Sequence, residues 1–369
     1  MSQRSRIPVA VIGATGVAGQ QFLASLANHP WFEVKRLAAS ARSAGKKYRE
    51  ALTEPSGAFR WYCSEPLAPA LAELPVEDAE QLDASDMRFV FSAVEADAAR
   101  VLEPRYAHQG AAVVSTASAF RYEPDVPVLI PGVNMEHLGL LPAQRRKRGW
   151  KGLITPGPNC TTIGLCITLE PLRQQFGLRR VLMTSMQAVS GAGRAPGVLA
   201  MDIIDNVVPY IAKEEEKVEL ETKKILGRLS GDSIVPHEVR VSCTCTRVPV
   251  LEGHTESVFV ELERPASVAD AKAAMRSFGE ALQALGLPSA PERLIHVHDD
   301  PYRPQPRLDR DHGDGMVTVV GRVREDGALS AAGSSTALKY VLVSHNTKMG
   351  AAKGAILTAE ILLQKGLVG

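Results

Sequence analysis

"IPVAVIGATGVAGQQFLASLANHP", residues Ile7–Pro30, is the stretch from which the fold is read. IPVAVI has the length and composition of a buried strand, and QQFLASLANHP has the apolar spacing of a helix. Between them, GATGVAG places Gly13, Gly16 and Gly19 three residues apart, with Thr15 inside the turn. Such a turn lets the backbone bend tightly and approach a pyrophosphate, which the helix N-terminus then holds. The spacing is a variant of the usual G-x-G-x-x-G. The strand before it, the helix after it and its position near the chain start point to dinucleotide binding over a purely structural turn.

Outward from this turn, FEVKRLAAS reads as the next strand. MRFVFSAV and GAAVVSTAS add two more, with the helix-like ADAARVLEPRYAHQG between them. Strands alternating with helices indicate an α/β domain, a parallel sheet with helices on both faces. We expect a Rossmann-type dinucleotide-binding domain over residues 1–157, completed by a C-terminal helix over 346–369. About twenty residues past the glycines, where an NAD site carries an acid, the chain reads AASARSAGKK. Ser40, Arg42 and Ser43 suit a 2′-phosphate, so NADP is the expected cofactor; a solvated basic loop is the alternative reading.

The second half has another texture. RRVLMTSMQAVSG, VRVSCTCTRVPVLEG and HTESVFVELERP are rich in β-branched residues with period-two alternation. They predict an α+β domain with a mixed or antiparallel sheet over 158–345. EEEKVELETKKILG adds a charged helix.

The 42 basic and 41 acidic residues leave a net charge of +1, so there is no electrostatic case for a nucleic-acid or membrane partner. No apolar run is long enough to span a bilayer, and MSQRSRIPVAVIGATG has no signal-peptide pattern. Five cysteines, an odd number in a long chain, argue against a disulfide framework and for a reducing, cytoplasmic compartment. Cys243 and Cys245 form a C-x-C in an alternating strand, poor spacing for zinc, so no metal is expected.

ITPGPNCTTIGLCITLEPL, Ile154–Leu172, reads as turn and loop leading into a helix with Cys160 at its first turn. The helix dipole favours thiolate there; a small residue packed at a helix start accounts for the pattern equally well. A nicotinamide cofactor together with such a thiol suggests aldehyde chemistry through a thioester, which needs an acid/base and a charge anchor. In CTRVPVLEGHTESV, Arg247 and His254 end and begin strands joined by one short turn, so they can face the same cleft.

The stretches GATGVAGQQF, ARSAGKKY, PDVPVLIPGVN, PNCTTIGL, MQAVSGAG, DIIDNVVPYI, EEEKVELETKKILG, RVPVLEGHTESV, RPQPRLDRD and SHNTKMGAAKGAIL run nearly the length of the chain. In them the chain resembles the aspartate-semialdehyde dehydrogenases, in the branch found in archaea, fungi and some bacteria. The resemblance implies that Cys160 is the nucleophile, with Asn159 helping to hold the oxyanion and Gln187 orienting the acyl-enzyme. It implies that His254 accepts and returns a proton and that Arg247 grips the substrate carboxylate bidentately. Arg121 and Lys217 would bind phosphate, Glu214 would meet the substrate's α-amino group, and Asn346 would lie near the nicotinamide. By context alone, Gln187 and Asn346 could equally cap turns, and Glu214 and Lys217 sit in a charge run that reads as an exposed helix face.

The implied reaction is NADPH-dependent reduction of L-aspartyl 4-phosphate to L-aspartate 4-semialdehyde, a step towards lysine, methionine, threonine and isoleucine. The implied assembly is a homodimer or homotetramer with its interface on the second domain. The chain departs from the family pattern at Thr116, Phe120 and Gly132, and by Arg194 with one extra residue beside the Gln187 loop. These lie where substrate and cofactor are expected. The alternative is therefore a malonyl-CoA reductase, in which an acyl-CoA replaces the acyl phosphate, Arg194 meets a CoA phosphate and Glu214 has no amino group to bind. A silent NADP-binding regulator is disfavoured by the joint presence of Cys160, Gln187, Arg247 and His254.

Overall fold

The computed structural model describes residues 6–192, 200–330 and 335–368. They form two compact units. The first holds the described residues up to Pro127, Leu138–Gly157 and the chain from Ala351 on; the second holds Val128–His137 and the described part of Pro158–Gly350.

In the first unit, β1 (Ile7–Ile12), β2 (Phe32–Ala39), β3 (Val76–Asp78), β4 (Phe89–Ser92), β5 (Ala112–Ser115) and β6 (Leu153–Pro156) form one sheet. Its order is β3-β2-β1-β4-β5-β6 and every pairing is parallel. Such strands are apolar on both sides, as the full burial of β4, β5 and β6 shows. Ala10, Ile12, Val90 and Val113 share one core with Ala99, Leu102 and Tyr106 of the helix Ala96–Gln109. Phe89 and Phe91 point the other way and meet Phe32, and Phe91 also meets Phe22 of the helix Val17–Leu26. Helices therefore cover both faces, and the order reverses at β1, where the glycine turn stands.

Two local expectations are corrected. Thr155 and Pro156, read as part of the turn and loop before Cys160, belong to the sixth strand, Leu153–Pro156: residues beside Pro and Gly look like a loop until a neighbouring strand pairs with them. The C-terminal tail is not one helix from Asn346. A strand runs to Ser344, a π-turn covers Lys348–Ala352, and the α-helix is Lys353–Gln364.

The second unit holds β7 (Leu178–Gln187), the hairpin β8 (Arg228–Ser230) and β9 (Ser233–Val235), β10 (Arg240–Arg247), β11 (His254–Leu262), β12 (Ile295–Val297), β13 (Thr318–Glu325) and β14 (Ala337–Ser344). Its large sheet has the order β10-β7-β11-β14-β13-β12. The β10–β7 and β12–β13 pairs are parallel and the other three antiparallel, which makes a mixed sheet. β7 and β10 alternate buried with exposed residues, so one face is open. The helices Cys160–Phe176 and Glu214–Ile225 pack on the sheet and on each other.

Candidate active site

Pairing register builds the site. Arg247 pairs with Gln187 across β10 and β7. Thr255 pairs with Met186 across β11 and β7, so the next rung sets His254 beside Gln187. His254 pairs with Ser344 on β14. Arg247, Gln187, His254 and Ser344 thus form one buried row across four strands.

Cys160 stands over this row with its Sγ 3.2 Å from His254 Nε2. The imidazole is fully buried and its Nδ1 accepts the Ala188 N–H at 3.1 Å. The tautomer follows from that bond: the neutral ring carries its proton on Nε2, towards the sulfur. Burial first, then the charges of Arg247 and His345, push the ring down to about 3. With Nδ1 engaged and Nε2 protonated, the ring is set to donate. Arg247 is buried as well. Its Nη1 donates to Ala188 O at 2.8 Å and reaches Gln187 Oε1 at 3.5 Å. Burial lowers its pKa, while Cys160 and Glu214 act to keep the charge.

Asn159 caps the Cys160 helix, its Oδ1 accepting the N–H groups of Thr161 and Thr162. Its Nδ2 donates to Glu214 Oε1 at 2.7 Å, which also takes Gln187 Nε2 at 3.3 Å. Lys217 Nζ lies 3.5 Å from Glu214 Oε2. Glu214 is thus a buried hub, and the reading of this segment as a solvated face does not hold for it. Glu214, Val218, Glu221, Thr222 and Ile225 are all buried, a stripe at helical spacing along the charge run. Asn346 joins Gly253, whose N–H its Oδ1 accepts, to Ser190, to which its Nδ2 donates at 2.8 Å. It ties the turn before His254 to the loop after Gln187.

Arg121 belongs to the first unit, where it is buried and donates to Thr116 O at 2.7 Å. Nearby Glu103 is raised to about 7 because burial outweighs its bonds to Ser115 and Ser92 and the charge of Arg121. Residues that sequence reasoning missed are Ala188, which holds His254 and Arg247 through its backbone, and Glu221, whose Oε2 accepts the Asn159 N–H at 2.6 Å. Backbone donors carry no sequence signal. Glu221 lies seven residues beyond Glu214, on the same helix face, and that spacing could have found it.

In the first unit the three glycines separate by cause. A Cβ on Gly13, which has φ +73°, would meet Ala93 O at 2.4 Å, and one on Gly19 would meet Gly13 O at 2.2 Å. The fold itself demands both. A Cβ on Gly16 would find only Gly13 O at 3.4 Å, so the fold leaves room there. Gly16 is the N-cap of a helix that has no side-chain cap and no acid in its first turn. Open N–H groups with space above them suit a pyrophosphate. Thr15 lies in the same turn, its carbonyl taking Gln20 Nε2. Ser40, Arg42 and Ser43 follow β2, at the same strand ends, and Ser40 and Arg42 are exposed. These residues fit a dinucleotide with a 2′-phosphate.

A family model described as semialdehyde dehydrogenase, NAD binding domain, matches residues 8–141, and one described as semialdehyde dehydrogenase, dimerisation domain, matches 169–349. The aspartate-semialdehyde dehydrogenase of Archaeoglobus fulgidus is 47% identical over 98% of this chain and 100% of its own. That of Methanothermobacter thermautotrophicus is 46% identical over 96% and 99%. The crystal structure of the Candida albicans aspartate-semialdehyde dehydrogenase with NADP matches with a TM-score of 0.87 and 42% identity, over 99% of this chain and 100% of that one. The chain belongs to the aspartate-semialdehyde dehydrogenase family. Its departures from the aspartate-semialdehyde dehydrogenase pattern have local reasons. Gly132 has φ +84°, and a Cβ there would meet Leu294 Cδ1 at 2.6 Å, so this turn excludes a larger residue. Phe120 is buried edge-on to Trp150, and Thr116 Oγ1 donates to Ser92 O. Arg194 lies outside the described residues.

Proposed function

We propose that the chain reduces L-aspartyl 4-phosphate to L-aspartate 4-semialdehyde with NADPH, releasing phosphate, in the biosynthesis of lysine, methionine, threonine and isoleucine. The carrying observation is the 3.2 Å approach of Cys160 Sγ to His254 Nε2, within the row that holds Gln187 and Arg247. Nε2–H donates to the Cys160 thiolate. The thiolate attacks the acyl carbon, the bond to phosphate oxygen breaks, and a thioester forms on Cys160. Gly13, Thr15, Gly16, Gly19, Ser40, Arg42 and Ser43 would hold NADPH, which when bound would supply the hydride for the thioester carbon. The Nε2–H of His254 then hydrogen-bonds the alkoxide and keeps its proton; as the carbonyl re-forms, the C–S bond breaks and the thiolate returns to the same Nε2–H. The proton consumed ends on the departing phosphate.

Arg247 receives the substrate carboxylate on the part of its fork turned away from Ala188. Glu214 takes the α-amino group, Asn159 and Gln187 line the acyl oxygen, and Lys217 takes phosphate. The family pattern assigns Arg121 to phosphate and Asn346 to the nicotinamide side. The second unit carries catalysis and self-association as a homodimer or homotetramer, in keeping with the dimerisation-domain match. The odd number of cysteines in a long chain supports a cytoplasmic setting; among the described residues no helix is long and apolar enough to cross a membrane.

The test is NADPH formation from aspartate semialdehyde, phosphate and NADP, with malonyl-CoA and NADPH as the competing assay. We expect turnover only in the first, with a lower KM for NADP than for NAD. Cys160→Ala should lower kcat at least about 10³-fold. Turnover of malonyl-CoA alone overturns the substrate, and an active Cys160→Ala overturns the thioester.

A further inference from the structure

Directly behind the site runs a second row on the same face of the sheet. Cys245 pairs with Ser185, and Ser185 with Glu256, so the three stand side by side on β10, β7 and β11. The row after that, Cys243, Met183, Val258 and Tyr340, is largely apolar. Glu256 is fully buried, and neither of its carboxyl oxygens has a hydrogen-bond partner among the described residues. The other buried acids of this region, Glu214 and Glu221, are both bonded. Burying an unbonded carboxyl opposes folding, and a leucine or methionine would fill the same space without that penalty.

Position gives the acid a use. Directly opposite residues of an antiparallel pair have Cβ atoms roughly 5 Å apart, so Ser185 is within reach of the Glu256 carboxyl. The Ser185 hydroxyl accepts Gln187 Nε2 at 3.2 Å, and its own proton has two neighbours in the row: Cys245, whose pKa Ser185 helps to lower, and Glu256. The two side chains are not bonded in the structure, and the bond forms only when the Glu256 side chain turns towards Ser185. The titratable groups facing Glu256 are Cys245 from β10, Cys166 from the Cys160 helix and Tyr340 from β14. None is a cation that would hold a carboxylate, and burial drives the acid well above its ordinary range.

We propose that Glu256 is a positioning residue of the acyl-transfer site, whose carboxyl oxygen accepts the Ser185 O–H so that Ser185 aims the Gln187 amide at the acyl group on Cys160. This rests on Cys160 being the nucleophile. It also gives one cysteine of the C-x-C a place: Cys245 is the small, weakly polar neighbour on the far side of Ser185.

The experiment compares Glu256→Met, Glu256→Gln, Ser185→Ala and the double variant Ser185→Ala/Glu256→Met with the full-length wild-type enzyme in the aspartate-semialdehyde assay. Glu256→Met should lower kcat at least about tenfold, with KM for the aldehyde within about twofold and no fall in Tm. Glu256→Gln, neutral and of the same shape, should stay within about threefold of wild type with an unchanged pH profile. Ser185→Ala should reproduce the loss, and the double variant should be no worse than either single one. A wild-type kcat in Glu256→Met, a Glu256→Gln as impaired as Glu256→Met, or multiplying losses in the double variant overturns the proposal. So does a Tm that falls in step with kcat, which marks packing alone. Should Glu256→Met fail to fold, a wild-type kcat in Ser185→Ala overturns it. Wild-type turnover reports separately on the function itself, so an active wild type with indifferent variants removes only the role of Glu256.

Discussion

With Nδ1 of His254 taken by the Ala188 N–H, protonating the ring would set two N–H groups against each other inside the core. The native ring, held at about 3, stays neutral while the unfolded ring titrates near its ordinary value of about 6.5. Between those values the unfolded chain binds the extra proton, so this contribution to stability is complete above about pH 6.5 and is lost as pH falls. The loss is about 1.4 kcal/mol per pH unit, or about 2 kcal/mol by pH 5. Urea unfolding at pH 7.5 and pH 5 should show it in the wild type and a smaller loss in His254→Asn. The same variant should lose about 10²–10⁴-fold in kcat in the aspartate-semialdehyde assay, because the Nε2–H that faces Cys160 is gone. At this scale residue types were legible: a thiol, a histidine and an arginine each announced their chemistry. The tautomer was not, because its determinant is a backbone N–H supplied by another strand.

Among elements, the glycine turn makes a prediction that splits in two. Gly19→Ala places a Cβ 2.2 Å from Gly13 O and should cost about 1–3 kcal/mol as overpacking. Gly16→Ala meets nothing closer than 3.4 Å and should cost at most about 1 kcal/mol, as a change of N-cap. Yet it fills the space over the open helix N–H groups, so NADPH affinity should fall at least about tenfold. Thermal melts and NADPH titrations of both variants check this, and equal affinity in Gly16→Ala would remove the turn from the cofactor site. Strand and helix identity was readable from periodicity for β1, β2, the helix Ala96–Gln109 and the helix Glu214–Ile225. It failed at Thr155 and Pro156, where pairing with β5 overrides loop-like composition, and at the tail, where β14 ends only two residues before Asn346.

At the scale of the molecule, the mixed sheet of the unit matched by the dimerisation-domain model keeps one face open. Arg180, Leu182, Thr184, Arg240, Ser242 and Thr244 alternate outward from β7 and β10, and Leu182 is 41% exposed. Leu182→Arg should lower the solution mass measured by light scattering at least to that of the next smaller assembly, leaving the far-UV spectrum unchanged; an unaltered mass would place the interface elsewhere. Local matters were legible in the chain itself: most of its strands and helices, a glycine turn of the dinucleotide-binding kind, and the side chains whose types suit the chemistry. Those follow from periodicity, capping and intrinsic reactivity, all properties of neighbours in the chain. Only the tertiary structure decided that Arg247, Gln187, His254 and Ser344 share one row, that Glu214 turns inward from a charged helix, and that His254 stays neutral. Register across strands is set by which residues far apart in sequence pair, and a pKa is set by how much water that pairing removes.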